Sequence, residues 1–319
     1  MYKSEPIFLQ PTYHERIWGG QKLKKEFCYD IPYQKTGEVW AISAHPNGPS
    51  IISNGPLAGK SLADAWHEHG ELFNKMELKT TEYPLLVKIL DAAEYLSVQV
   101  HPNDEFARKV ENVPYGKTEC WYVLSAEEGA ELIIGHHATS QEQLKELVEQ
   151  GKWKHLLRTI KVKAGDFVYV PSGTIHAIGA GIVILETQQS SDITYRVYDY
   201  DRKDAAGNSR KLHFEQSLQV TKVPHEDVYI EQTQVIKEGL VEKKLVEERY
   251  FSVYHWRLSG KSTSRLEKDF LQVSVIEGQA RLTIANQSFK INKGDHFLLP
   301  YGIQEYCLEG NAECIVSHS

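Results

Sequence analysis

The stretch KAGDFVYVPSGTIHAIG, Lys163 to Gly179, recurs near the other end of the chain as NKGDHFLLPYGIQEYCL, Asn292 to Leu308. Both copies read Gly-Asp, four residues, Pro-x-Gly, with glycines at Gly165 and Gly294 and the Pro-x-Gly pairs at Pro171/Gly173 and Pro300/Gly302. Upstream of each lies a matching segment, WYVLSAEEGAELIIG and LQVSVIEGQARLTIA, expected to form a hairpin turning at Gly129 and Gly278. A duplicated motif of this kind decides the architecture, because it implies two copies of one β-fold. Outward from the repeat, short alternating or β-branched runs such as YLSVQVH, GIVILETQ and HFLLP are separated by Gly, Pro and Asn turn signals, the pattern of a sandwich or barrel. Helical periodicity appears in only two places, about residues 61–78 and 139–160, the first opened by Ser61 as an N-cap. The charged stretch from Val235 to Glu248 reads as a domain boundary or as an exposed edge strand, and we expect domains at 1–240 and 241–319.

The two copies differ at their ends. The first follows G-x5-P-x-G-x2-H, Gly165 through His176, and resembles the second signature motif of the cupin barrels; the fold expected is therefore mainly β, two cupin-type β-barrel (jelly-roll) domains with a few inserted helices. In the second copy Glu305 stands where the histidine would be, so that domain is expected to be metal-free.

Composition narrows the function classes. The chain has 319 residues, 41% of them hydrophobic and 25% charged, the balance of a globular protein with a sizeable core. A net charge of −7 argues against a nucleic-acid partner, which needs basic surface. The first twenty residues lack an apolar stretch behind a basic start and no apolar run approaches bilayer length, so a cytoplasmic protein without a membrane partner is expected. Four cysteines with no CxxC pair fit a reducing compartment, and a Cys307–Cys314 disulfide is not expected.

Four residues of the first copy are candidate metal ligands. Gln99 and His101 sit two apart on a strand and share a face; Glu119 heads the next strand; His176 closes the motif. A histidine at a strand end is, taken alone, more often a hydrogen-bonded residue than a ligand. Here three separate signals converge on one barrel mouth, and two imidazoles with oxygen donors suit a single Zn2+, although iron or manganese accept the same set. The other twelve histidines are read as surface or helix residues.

Within the cupins, the sequence resembles the short bacterial form of type I phosphomannose isomerase. The likeness runs through RIWGG (Arg16–Gly20), GEVWAISAHPNG (Gly37–Gly48), PLLVKILDAAEYLSVQVHPND (Pro84–Asp104), GKTECWYVL (Gly116–Leu124), PSGTIHAIG (Pro171–Gly179) and QSSDITYRVYDYDR (Gln189–Arg202). It implies zinc on Gln99, His101, Glu119 and His176, a reactive Arg196, and interconversion of mannose 6-phosphate and fructose 6-phosphate. Proton transfer between C1 and C2 passes through an enediolate whose oxygen needs a fixed cation, which Arg196 supplies. Lys117, two positions before Glu119, is the favoured acid/base group, its pKa depressed by burial beside zinc and Arg196, with phosphate binding as its alternative role. Larger family members carry a histidine just before this lysine; Gly116 stands here, and Tyr115 or a water is the expected substitute. Trp18, Lys88 and Ser97 are expected to bind the small-molecule sugar phosphate, and the helical segment at 139–160 to serve as a lid or an edge cover. Two rival readings are an iron-dependent bicupin dioxygenase and a non-enzymatic sugar-phosphate-binding bicupin. A monomer is expected, because the two barrels can bury their faces against each other.

Overall fold

The computed structural model describes residues 2, 5–75, 82–203 and 206–319. Three antiparallel sheets organise the chain. A six-stranded sheet runs in the order Phe167–Val170, Glu119–Ala126, Ile182–Gln189, Leu85–Ala92, Thr36–Ile42, Thr12–Gly20. A five-stranded sheet packs against it in the order Tyr195–Tyr198, Val98–Val100, His176–Ile178, Glu131–His136, Leu157–Lys161. The C-terminal strands form a nine-stranded sheet, which also takes in Ile7–Gln10 and Ile51–Ile52 from the N-terminal region. The class is mainly β, as expected. None of the three sheets closes on itself among the described residues, so the two barrels are open sandwiches.

Side-chain alternation explains how the layers stack. Along Leu85–Ala92, Leu85, Val87 and Ile89 belong to one core, while Leu90 and Ala92 face another, shared with Trp121, Ile134, Ile178 and Ile184 between the first two sheets. The first of these cores also holds Trp66, Phe73, Ile276, Leu298 and Ile315, so the two halves of the chain share one apolar interior. Trp66 is wholly buried and meets the edges of Phe73 and Tyr83 at centroid distances of 5.0 Å, contacts each contributing about 0.5–1.5 kcal/mol beyond area burial.

Several local expectations change. The segment with Gly129 is no hairpin: Glu119–Ala126 and Glu131–His136 lie in different sheets, and Gly129, at φ +78°, turns the chain from one to the other. Its counterpart Gly278 lies inside one continuous strand, Leu271–Ile284, beside a bulge between Val275 and Glu277. A strand can pass from one side of a sandwich to the other only by a bulge or a break, and the two copies use one device each. Ser61 caps a helix, Leu62–Glu68, with a complete capping box to Asp64, but the helix gives way to a tighter turn at Gly70–Phe73; residues 76–78 of that expected helix lie outside the described residues. The second helical segment holds two helices, Gln141–Glu149 and Trp153–Leu156, and then becomes the edge strand Leu157–Lys161, whose Thr159 and Ile160 pair with Ile133 and Leu132. These helices cover the outer face of the five-stranded sheet, with Leu144 and Leu156 packed on Val98 and Val100. The stretch from 235 to 248 falls on the edge strand Thr233–Lys237 and on its inner neighbour Leu240–Glu247. All four thiols are free; Cys307 and Cys314 lie on one strand, Glu305–His318, with no turn between them.

Candidate active site

Strand register writes the site as two facing rows. On the six-stranded sheet, Trp40 pairs with Lys88, Lys88 with Glu186, and Glu186 with Trp121, four side chains abreast on the inner face. On the five-stranded sheet, Arg196 pairs with Gln99 and Gln99 with His176. A cavity of about 440 Å³ lies between them, bordered by Trp18, Lys88, Ser97, Gln99, Lys117 and Arg196 among others.

His101, Glu119 and His176 come together at the closed end, all buried, with one ligand atom from each within 4.8 Å of the others. His101 Nδ1 lies 2.8 Å from the carbonyl of Ile193, and His176 Nδ1 2.9 Å from that of Thr174. A carbonyl only accepts, so each Nδ1 carries the proton and each Nε2 keeps its lone pair. Those Nε2 atoms face Glu119 at 3.4 and 3.2 Å. The amide of Gln99 reaches His176 Nε2 at 3.3 Å, and turning it over brings Oε1 to the same point. Neither oxygen of buried Glu119 accepts a well-angled hydrogen bond, although Lys117 Nζ lies 2.5 Å from Oε2 as an ion pair. Two neutral imidazoles, an amide oxygen and an orphaned carboxylate fit a divalent transition cation, and the backbone carbonyls behind the imidazoles fix their orientation.

Burial governs the electrostatics. It lowers both imidazoles, His101 to about 3 with the charge of Lys117 adding to the effect, so both are neutral. Burial alone would raise Glu119, but the charge of Lys117 holds it well below the usual carboxylate range. Glu38 is likewise opposed by burial, yet Lys88 and Arg16 hold it at about 2. Glu186 goes the other way: burial and the charge of Glu119 push it up. Lys117 departs from expectation. Burial lowers it, as anticipated, but Glu119, Glu186 and Glu38 outweigh burial and leave it raised.

All nine residues singled out from the sequence therefore border the cavity or the donor cluster at its end. Sequence reasoning missed Glu38 and Glu186. Both sit on the inner face of the six-stranded sheet, and an acidic residue inside a continuous apolar strand such as IVILETQQ was the available signal. It also misplaced histidines. His14 borders the cavity, His136 is buried against the carbonyl of Lys222, and His296 is buried between Tyr29 and Ser274.

Comparison with known proteins decides the family. Residues 7–134 match the model of the phosphomannose isomerase type I catalytic domain, and residues 241–319 that of the mannose-6-phosphate isomerase cupin domain. The chain is 52% identical over 319 residues to mannose-6-phosphate isomerase ManA of Bacillus subtilis (strain 168), covering 99% of both. The chain belongs to the type I phosphomannose isomerases. It is also 51% identical over 316 residues to mannose-6-phosphate isomerase of Streptococcus mutans serotype c, again covering 99% of both. The crystal structure of mannose 6-phosphate isomerase from Bacillus subtilis superposes with a TM-score of 0.96 at 47% identity, covering 98% of this chain and 99% of that one. The apo form of the enzyme from Salmonella typhimurium, 17% identical, shares the fold with a TM-score of 0.80 over 98% of this chain and 99% of that one.

The departure of this phosphomannose isomerase family member at Gly116 has a steric cause. A Cβ there would meet the backbone of Asn103 at 2.3 Å and of Pro102 at 2.4 Å, so no histidine fits. Tyr115 does not take its place, because its hydroxyl donates to the carbonyl of Glu82, and it borders a different, smaller cavity.

Proposed function

We propose that this chain is a zinc-dependent mannose-6-phosphate isomerase, with one Zn2+ held by Gln99, His101, Glu119 and His176. The observation that carries the reading is the facing of the two rows: a guanidinium, Arg196, stands in register with Gln99 and His176, across a cavity from Lys88 and Glu186. When bound, zinc supplies Lewis acidity toward the sugar oxygens. Trp18, Lys88 and Ser97 hold the open-chain sugar phosphate. The carboxylate of Glu186 takes the proton from C2 and returns it to C1. Arg196 faces the oxygen on which enediolate charge collects, and Lys117, whose ammonium borders the cavity, donates a proton at O1 and recovers one from O2. Such preorganised charge acts strongly because the wall residues Glu38, Lys88 and Glu186 are themselves buried.

The match of the cupin-domain model over residues 241–319 supports the division at 240/241, with the second domain structural. A monomer fits the shared apolar interior, and a reducing, cytoplasmic setting fits the free thiols. Among the described residues no helix is long and apolar enough to cross a membrane.

A coupled assay with mannose 6-phosphate tests the reading. Turnover should appear under anaerobic conditions, vanish on chelation, return with zinc and be absent in His101→Ala. Oxygen-dependent product would favour the dioxygenase, and tight binding without turnover the sensor. Near-normal kcat and KM in Lys117→Ala would remove that residue from the mechanism.

A further inference from the structure

The reacting carbons and the phosphate occupy opposite ends of a six-carbon chain, so the guanidinium that faces the enediolate cannot also hold the phosphate. Charge around the cavity shows where the phosphate is best received. On the side of the six-stranded sheet, Arg16, Lys88 and Lys117 oppose Glu38, Glu186 and Glu119, three against three, and each lysine lies within 4 Å of a buried carboxylate. On the side of Tyr195–Tyr198, Arg196 and Arg210 border the cavity with Asp192, and Asp199 behind them pairs with both Arg210 and Arg202. Among the described residues the excess positive charge therefore lies on that second side.

We propose that Arg210 is the phosphate-recognising residue of this site, held in place by Asp199, and that this leaves Arg196 to the enediolate. The proposal rests on the isomerase reading. Arg210 borders the cavity, and nothing in the sequence motifs singled it out. Asp199, itself buried, engages it twice: Oδ2 accepts from Nε at 2.8 Å and Oδ1 from Nη2 at 2.5 Å, while Oδ1 also accepts from Nη2 of Arg202. Nη1 is the nitrogen this grip leaves for a ligand. Arg196 is tied to the opposite side, its Nε donating to Ser97 Oγ at 3.3 Å and its strand paired with that of Gln99. The two arginines nevertheless stand side by side, because Arg196 Nη1 donates to the carbonyl of Lys211, the residue next to Arg210. Burial and then the charge of Arg210 lower the pKa of Arg196, as expected of two neighbouring guanidinia. Ser97 Oγ, at the junction, is placed to donate to the same phosphate.

The test uses the full zinc-loaded chain and the variants R210A, R210K, D199N and D199N/R210A. Losing a charge-assisted hydrogen bond to phosphate should raise KM for mannose 6-phosphate and the inhibition constant of inorganic phosphate together, by about 10- to 100-fold in R210A. The value of kcat should stay within about threefold, since the contact is made equally in ground and transition states. R210K should recover part of the loss, and D199N should raise KM but add nothing in the R210A background. KM and phosphate inhibition within about twofold of wild type in R210A, or a fall in kcat alone, would overturn the assignment. An independent D199N effect in the double variant would remove Asp199 as the positioning residue. Calorimetric titration with inorganic phosphate separates the two layers: a wild-type chain that binds phosphate through Arg210 but turns over no mannose 6-phosphate refutes the isomerase reading and leaves the anion site standing. Normal turnover with no response to R210A or R210K refutes this proposal alone.

Discussion

Replacing Lys88 with methionine tests whether the row Trp40–Lys88–Glu186–Trp121 is held by charge. The Lys88 ammonium lies 3.5 Å from Glu186 and 3.9 Å from Glu38, and 5.0 Å from the centroid of the Trp40 ring. Glu38 has other partners, Arg16 Nε at 2.8 Å and Trp40 Nε1 at 2.7 Å. Besides Lys88, Glu186 accepts the indole N–H of Trp121, at 3.0 Å, and feels the charge of Lys117, yet burial and the charge of Glu119 already push its carboxyl up. K88M keeps most of the stem volume, so its cost falls on a stranded carboxylate, about 3–5 kcal/mol for a buried pair broken on one side. Protonation offers Glu186 a partial escape. Without Lys88 its folded pKa rises further above the unfolded value, so the deficit is smaller at pH 5 than at pH 8. Adding E186Q should recover most of the loss, because the amide keeps the contact with Trp121 and carries no charge. Urea unfolding with chelator present in every sample measures this without a metal contribution. A K88M cost below about 1 kcal/mol, or a double variant less stable than K88M, would refute the reasoning.

Three further outcomes follow from particular contacts. Zinc should raise the melting temperature in a concentration-dependent way, by the equivalent of about 2.7 kcal/mol at a hundredfold excess over Kd, and His101→Ala should abolish that increment in scanning calorimetry. Burial holds His296 neutral at a pKa of about 3 between Tyr29 and Ser274, so its contribution is complete above pH 6.5 and is lost as pH falls toward 3. Integrated over that window it amounts to roughly 4–5 kcal/mol, and H296N should take up about one proton fewer on unfolding at pH 5, a difference absent only if His296 is protonated in the fold. Gly116→Ala should cost about 2 kcal/mol or more and lower kcat through the adjacent Lys117, since the added Cβ would lie 2.3 Å from the backbone of Asn103; a variant as stable as wild type in thermal melts would contradict that contact.

What could be read in the sequence was whatever is written locally. Gln99 and His101 share a face by the two-residue period of a strand, Lys117 and Glu119 likewise, and the Pro171-x-Gly173 turn delivers His176; the structure brings these residues together around one point. Segment type was also legible where the pattern was strong, as in the capped helix Leu62–Glu68. What failed was whatever depends on a distant partner. Glycine turns at Gly129 and Gly278 look alike in sequence, yet one ends a strand and the other bends one, because only the second has Glu305–His318 hydrogen-bonded continuously beside it. Residues 157–160 carry helical spacing but find Glu131–His136 unpaired at its edge, and a ladder forms instead.

The depressed pKa expected for Lys117 failed for the same kind of reason, and the failure bears on mechanism. Burial, expected to depress it beside zinc and Arg196, is the largest single effect, but the outcome is decided by carboxylates, two of which reach the cavity on other strands: Glu186 by pairing with Lys88, and Glu38 from the strand beyond. A lysine surrounded by three carboxylates keeps its proton, so in the mechanism we propose it is assigned the role of acid and a carboxylate that of base. Of the three, Glu38 is held by Arg16, Lys88 and Trp40, and Glu119 faces the imidazoles. Of these three, Glu186 is the one with a raised pKa and it borders the cavity, which is the ground on which the mechanism we propose assigns it proton transfer between the sugar carbons.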